Sequence, residues 1–197
     1  MYTLIGKLAS RAFRVGWMLE ELGVEWEQVP ASQHTDEVYR LNPAGKIPAL
    51  VVDGDAVLVD STAIMTYLAD KHGKLTFAAG TLERARQDGF TQTMIDEFDQ
   101  VLYTSARTGA LIPEELRSPQ VKDGLHWEYR RNLARFAETF DGPFLMGEQM
   151  TLADILLTHC LQWGAIAKFP FESDKMRAYV KDMTSRDAYR SAHAKMS

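Results

Sequence analysis

The segment from Asn42 to Leu68 constrains the fold of this chain more than any other. It contains Asn-Pro-Ala-Gly-Lys-Ile-Pro, then a short apolar hairpin, and then Asp60-Ser61 at the start of an amphipathic helix. An X-Pro bond adopts the cis state at a cost of only about 0.5–1 kcal/mol. A cis Ile47-Pro48 bond at a strand entrance turns the backbone N–H and C=O of Ile47 outward. An extended peptide can pair with that backbone as an added strand.

The first third of the chain alternates patterns typical of strands with patterns typical of helices. The first helix is predicted to begin near Ser10, because apolar residues follow at i, i+3, i+4 and i+7 spacing, and to end at Gly23. The remaining predicted elements are strands over 2–5 and 25–29, a short helical piece around 35–40, a hairpin from 48–52 to 56–59, and a helix over 61–72. Strands and helices in alternation, followed by a strand pair, indicate a thioredoxin-like α/β domain.

Everything after residue 60 reads as helical. Periodicity fails between Gly73 and Gly80, so residues 74–81 are predicted to link a domain over 1–73 to an all-helical domain over 82–197. Thr151 with Asp154 three positions later is typical of a capping box, which indicates a structural role. The helices are predicted over about 82–108, 119–140, 151–167, 173–184 and 186–195.

Charge and composition narrow the class of partner. The 197 residues carry a net charge of −5 with a pI of about 5.6, so the chain has no basic surface for nucleic acid or an anionic membrane. The single cysteine, Cys160, excludes an internal disulfide, and the five histidines show no metal-ligand spacing. No signal peptide pattern or apolar run of about 20 residues is present. We expect a cytoplasmic protein that acts on small molecules, without a metal.

Four landmarks occur in one order, and together they resemble the glutathione S-transferase family, in its bacterial, serine-type form. The resemblance covers nearly the whole chain. It implies a thioredoxin-like N-terminal domain joined to an all-α C-terminal domain, glutathione as co-substrate, a homodimer and a role in detoxification. The landmarks are SRAFRV (10–15) with LEELG (19–23), NPAGKIPAL (42–50), LVDSTAI (58–64) with YL (67–68), and FLMG (144–147) before MTLAD (150–154).

The resemblance also implies which residues hold the tripeptide. Ser10 occupies the first turn of the first helix, where its hydroxyl can donate a hydrogen bond to the thiolate and where helix N–H groups favour negative charge. The alternative is an ordinary helix cap. The other implied contacts are Ile47 with Pro48 for the cysteinyl backbone, Asp60 and Ser61 for the γ-glutamyl end, Lys46 for the glycyl carboxylate, and Gln33 and His34 by position alone.

Three features of this interpretation stay open at the level of sequence. Asp60 stands where many relatives carry a longer Glu or Gln, and its shorter side chain leaves open how tightly it binds the ammonium group. Lys46 is alternatively a solvated turn residue. Candidates for the electrophile pocket are Tyr103, Arg107 and Trp163, each of which can equally be core or surface.

The predicted reaction is conjugation of glutathione thiolate to a small electrophile. The same scaffold also supports isomerases, dehalogenases, peroxidases and non-catalytic stress proteins, because a fold does not determine the reaction.

Overall fold

The computed structural model describes residues 1–196, with side chains at all of them except 110 and 111. These residues form two compact units. The first combines Met1–Ala78 with the segment that begins at Thr184, and the second is Ala79–Met183. The sequence predicts a helical domain that extends to residue 197. In the structure, the last helix belongs to the first unit instead.

A four-stranded mixed sheet forms the centre of the first unit. Its strands are β1 (Tyr2–Ile5), β2 (Trp26–Val29), β3 (Ala49–Val52) and β4 (Ala56–Val59), in the order β2-β1-β3-β4. β1 pairs with β2 in parallel and with β3 antiparallel, and β3 and β4 form the hairpin. The thioredoxin-like prediction is confirmed.

Four helices complete the first unit: α1 (Ala12–Leu22), α2 (Asp36–Leu41), α3 (Ser61–His72) and α9 (Asp187–Ala194). α1 ends at Gly23, which adopts the left-handed conformation at φ 69°, as the sequence predicts. α9 packs along α1 through an aromatic cluster, in which Tyr189 makes edge contacts with Phe13 and Trp17. Arg186 also forms a bidentate ion pair with Glu21, at 2.6 and 2.8 Å.

In the described part of the second unit, the regular elements are helices, and two isolated β-bridges lie between residues 144 and 149. The long helix predicted over 82–108 is interrupted by π-helical turns at Met94–Asp99 and Arg107–Leu111. The side-chain amide of Asn132 donates to the Glu97 carbonyl in the first of these, at 3.0 Å. The α-helices are α4 (Leu82–Thr93), α5 (Gln100–Ala106), α6 (Pro119–Thr139), α7 (Leu152–Ile166) and α8 (Asp174–Thr184).

The start of α7 bears out the structural interpretation of Thr151 and Asp154. The Asp154 carboxylate is fully buried and accepts hydrogen bonds from the backbone N–H groups of Thr151 and Leu145, each at 2.8 Å, and from Tyr179 at 2.9 Å. Burial nevertheless raises the pKa of Asp154 above its usual value. This carboxylate ties the loop before α7 to α8. In residues 1–196, no helix has the length and apolar character that a membrane span needs.

Candidate functional site

The register of the sheet places the predicted site segments together along one edge, which is formed by one end of each of the four strands. Ile5 at the end of β1 pairs with Val29 and Ala49, and Ala49 pairs with Val59 at the end of β4. The segments that adjoin this row are the loop to Ser10 after Ile5, the loop with Gln33 and His34 after Val29, Lys46-Ile47-Pro48 before Ala49, and Asp60-Ser61 after Val59. Every residue predicted to hold the tripeptide thus lies at the same end of the sheet.

The Ile47-Pro48 bond is cis, as the sequence suggests. The half-buried Ile47 side chain packs against the cluster of Ile5, Ala31, Val38 and Ala49. Among the described residues, neither the backbone N–H nor the C=O of Ile47 has a hydrogen-bond partner. These two groups are therefore available to an added strand.

Asn42 holds the turn that leads to Ile47, a role that the sequence interpretation missed. Its side-chain amide donates to the Lys46 carbonyl at 2.9 Å, and its carbonyl oxygen accepts from the Ala44 N–H at 3.1 Å. Gly45 adopts φ +65°, in the left-handed region. The signal for this role in the sequence is Asn42 at the start of the Asn-Pro-Ala-Gly-Lys run, because an asparagine side chain often hydrogen-bonds to the backbone two residues on.

The loop after β1 lies against Ile47. A Cβ built on Gly6, whose φ is +137°, would approach Ile47 Cβ to 3.1 Å and Ala12 Cβ to 3.3 Å. Only a residue without a side chain lets the loop and the turn come this close. Gly6 therefore brings the loop that carries Ser10 next to the cis-proline turn.

Ser10 lies in the turn before the helix, two residues ahead of the first residue of α1, which was predicted to begin near Ser10. The Ser10 hydroxyl donates to the Lys7 carbonyl at 2.7 Å and accepts from the Ala12 N–H at 3.1 Å. These bonds shape a turn, and α1 begins at Ala12. Ser10 is half-buried.

The start of α3 combines capping with the predicted γ-glutamyl contacts. Asp60 adopts φ 70° and caps the helix, with Oδ1 accepting from the N–H groups of Thr62 and Ala63 at 2.9 and 3.1 Å. Ser61 is buried, and its Oγ accepts from Arg14 Nη1 at 3.5 Å. Arg14 is not among the ligand contacts predicted from the sequence. A guanidinium that is 1% exposed and lies beside Ser61 adds positive charge where a carboxylate is predicted to bind.

The glycyl-end candidates occupy exposed positions. His34 donates its backbone N–H to the Gly45 carbonyl at 2.7 Å, and its Nδ1 lies 3.1 Å from Tyr39 Oη. Lys46 follows Gly45 directly and is exposed, as is Gln33. Tyr39 was not singled out from the sequence, because nothing local marks a tyrosine on a short helix as a partner of a loop histidine.

The electrophile-pocket candidates all lie in the second unit. The Arg107 guanidinium stands over the Tyr103 ring, 5.8 Å from its centroid, at the junction of α5 and the second π-helical turn. Trp163 is half-buried on α7 and makes an edge contact with His159. α5 packs against α7, so Tyr103 and Trp163 lie on helices that touch, and Arg107 follows α5 directly. Within residues 1–196, no group of three or more His, Cys, Asp or Glu side chains is placed to hold a metal ion.

Two family models match this chain, one in its N-terminal part and one in its C-terminal part. The N-terminal domain model of the glutathione S-transferases matches residues 10–71, and their C-terminal domain model matches residues 103–187. A zeta-class glutathione S-transferase of Euphorbia esula is 27% identical over 169 residues, covering 82% of this chain and 74% of that protein. Maleylacetoacetate isomerase of Pseudomonas aeruginosa is 25% identical over 206 residues, covering 98% and 94%.

A solved structure agrees with the fold. The glutathione transferase of Methylococcus capsulatus superimposes with a TM-score of 0.89 at 23% identity, covering all of this chain and 98% of that one. At this identity the likeness supports the two-domain fold alone.

Proposed function

Because the chain belongs to the glutathione S-transferase family, whose members are transferase enzymes, we propose that it binds glutathione at this edge of the sheet and transfers it to a small electrophile. The observation that carries the proposal is the unpaired backbone of Ile47 beside the loop of Ser10 and the start of α3. The cysteinyl unit of the tripeptide pairs with Ile47, next to Pro48. Its thiol then faces the loop that holds Ser10.

In this proposal, Ser10 stabilises the glutathione thiolate. A free thiol has a pKa of about 8.5, and only its ionised form is a good nucleophile. A bound thiolate competes with the Lys7 carbonyl for the Ser10 proton and is favoured, because a charged acceptor forms the stronger hydrogen bond. The thiol proton leaves to solvent. The sulfur then forms a bond to the electrophilic carbon as the leaving group departs, or as the electron pair of a double bond shifts to the neighbouring atom.

The two ends of the peptide meet groups of opposite charge. Asp60 Oδ1 caps α3, and its other oxygen remains to accept from the γ-glutamyl ammonium. Ser61, with Arg14 behind it, receives the α-carboxylate at the positive end of the helix. Lys46, with Gln33 and His34 from the neighbouring loop, receives the glycyl carboxylate.

The second substrate is assigned to the helical unit, with Tyr103, Arg107 and Trp163 as its contacts. Arg107 stacked on Tyr103 offers a cation and an aromatic face together, which suits an electrophile that carries an anionic or aromatic group. The serine-type assignment, the homodimer, the cytoplasmic location and the role in detoxification belong to the same proposal.

A glutathione-dependent isomerisation is the second candidate. The maleylacetoacetate isomerase of Pseudomonas aeruginosa matches nearly the whole chain, so its reaction class is a specific rival. Isomerisation returns glutathione unchanged, whereas conjugation consumes it. Measuring free thiol during turnover of each substrate class therefore separates the two.

The test is the ionisation of bound glutathione, followed by ultraviolet thiolate absorbance across pH. Wild-type protein is expected to hold the thiol pKa well below the free value. Ser10→Ala is expected to raise the pKa of the bound thiol by about 1 to 2, because it removes a hydrogen bond to a charged group. Ser118→Ala, at an exposed serine of the helical unit, is the matched control and should behave as wild type.

Two outcomes would overturn the proposal at different levels. An unchanged thiolate pKa in Ser10→Ala would remove Ser10 from the reaction. Absence of saturable glutathione binding in the wild-type protein would instead favour a scaffold that has lost the reaction.

A further inference from the structure

Tyr39 and His34 form an exposed pair beside the glycyl end of the proposed peptide site. His34 Nδ1 lies 3.1 Å from Tyr39 Oη, and the two rings are tilted with centroids 5.9 Å apart. Both residues are exposed, Tyr39 to 46%. An exposed hydrogen bond of this kind contributes little to the free energy of unfolding, since water replaces either partner at low cost. Its effect is therefore expected in ligand binding.

The backbone fixes this pair next to the turn that holds the peptide. His34 adopts φ 63°, a left-handed conformation that is uncommon outside glycine, and its N–H donates to the Gly45 carbonyl at 2.7 Å. Gly45 is left-handed as well, and a Cβ there would lie 2.6 Å from His34 Nδ1 and 2.7 Å from the Tyr39 ring. The strained backbone and the missing side chain let both rings pack directly on the residue before Lys46.

The hydrogen-bond pattern decides what the outer nitrogen of His34 can do. Among the described residues, His34 Nε2 has no hydrogen-bond partner. A carboxylate only accepts hydrogen bonds, so Nε2 must carry a proton to bind one. When the Tyr39 hydroxyl donates to Nδ1, the neutral ring has its proton on Nε2; in the imidazolium form both nitrogens donate, and Tyr39 Oη accepts from Nδ1.

We propose that Tyr39 is a positioning residue that holds His34 with Nε2–H directed at the glycyl carboxylate of glutathione. The inference rests on the proposed function and adds to it, because it explains how His34, one of the groups proposed to receive the C-terminal carboxylate beside Lys46, is held in place by Tyr39 and Gly45. Without the Tyr39 hydroxyl, Nδ1 loses its partner and the exposed ring is free to rotate, so Nε2–H is no longer held toward the carboxylate.

The experiment compares the dissociation constants of glutathione and of its glycyl ethyl ester, which differ only at that carboxylate. Wild-type protein is expected to bind the free acid roughly tenfold or more tightly than the ester, as befits a charge-assisted hydrogen bond. Tyr39→Phe should weaken binding of the free acid by about three- to tenfold and leave the ester unchanged. Tyr67→Phe removes a tyrosine hydroxyl bonded to Lys71 in the same unit and is the matched control.

A conservative substitution tests whether Tyr39 acts through His34. His34→Gln places an amide donor near the position of Nε2 and does not depend on a partner at Nδ1. The preference for the free acid should therefore persist in His34→Gln, and adding Tyr39→Phe to it should change nothing further.

The outcomes separate this inference from the proposed function. Equal losses for acid and ester in Tyr39→Phe, or no loss at all, would overturn the positioning role while a lowered thiol pKa in the wild-type protein would leave the proposed function intact. A loss in Tyr67→Phe equal to that in Tyr39→Phe would also overturn it. Failure of wild-type protein to bind either ligand would overturn both.

Discussion

Asp60 caps α3 and is proposed to bind the γ-glutamyl ammonium, and different substitutions can separate these two roles. Oδ1 accepts hydrogen bonds from the Thr62 and Ala63 N–H groups, and the residue holds φ 70°. Asp60→Ala removes the cap, at about 1 kcal/mol. It also places a residue without a polar side chain in a sparsely populated backbone conformation, at φ 70° and ψ 123°, at about 1 kcal/mol more. The free energy of unfolding should fall by about 2 kcal/mol in total, which lowers the melting temperature by about 4–8 °C in a chain of this size.

Asp60→Asn keeps the acceptor oxygen and removes the charge. Asn caps helices about as well as Asp, so the free energy of unfolding should fall by no more than about 0.5 kcal/mol, the contribution of a charge near the helix dipole. The amide cannot pair with the γ-glutamyl ammonium, and the dissociation constant for glutathione should rise roughly fivefold, as expected for an exposed ion pair.

Thermal unfolding followed by circular dichroism, together with calorimetric titration of glutathione, measures both effects. Asp55→Asn, at an exposed residue of the β3–β4 hairpin, changes the net charge equally and should match wild type in both assays. An unchanged melting temperature in Asp60→Ala would refute the capping argument. Wild-type affinity in Asp60→Asn would refute the ammonium contact.

Three further substitutions test other parts of the structure. Burial raises the pKa of Tyr129, whose hydroxyl has no partner within residues 1–196, so Tyr129→Phe should keep or raise the unfolding free energy in urea, by up to about 1 kcal/mol; a loss would contradict this. Gly45→Ala forces a Cβ onto His34 and should cost about 2 kcal/mol in the same assay, and unchanged stability would show that the turn relaxes. Burial raises the pKa of Glu20, but hydrogen bonding, chiefly from Lys195, outweighs it and holds the value below the usual one. This stabilisation is present above the unfolded pKa of Glu20 and is lost as pH falls through the folded pKa. Lys195→Met should therefore cost under about 1 kcal/mol at neutral pH and less near pH 2, where only the contact of Lys195 Nζ with the Trp26 ring is lost. An equal cost at both pH values would contradict the ion pair.

Local patterns carried most of the fold prediction. The strands, the hairpin and α3 were predicted within one or two residues, because alternation, apolar spacing and turn residues act over a few positions. The same local patterns predicted the segments that form the candidate site. Ile47-Pro48 and Asp60-Ser61 adjoin strands whose ends the pattern marks.

Long-range contacts account for what the sequence could not predict. Arg186 and Glu21 are 165 positions apart, and nothing in either segment shows that α9 packs on α1. Arg14 reaches Ser61 across 47 positions, and the π-helical turn at Met94–Asp99 has a carbonyl satisfied by Asn132 from another helix. Side-chain partners of this kind follow from three-dimensional packing, which hydrophobic periodicity does not encode.

The candidate site draws its geometry from strand register more than from side-chain packing. Its groups adjoin the row Ile5–Ala49–Val59, so a register shift of one residue between β1 and β3 would displace Ile47 relative to the loop of Ser10 and turn the apolar side chains of the shifted strand to the opposite face. The buried side chains of Ile5 and Ala49 resist such a shift. The core of the sheet therefore fixes the spacing between Ile47 and the segments that carry Ser10 and Asp60, which are the groups proposed to contact the tripeptide.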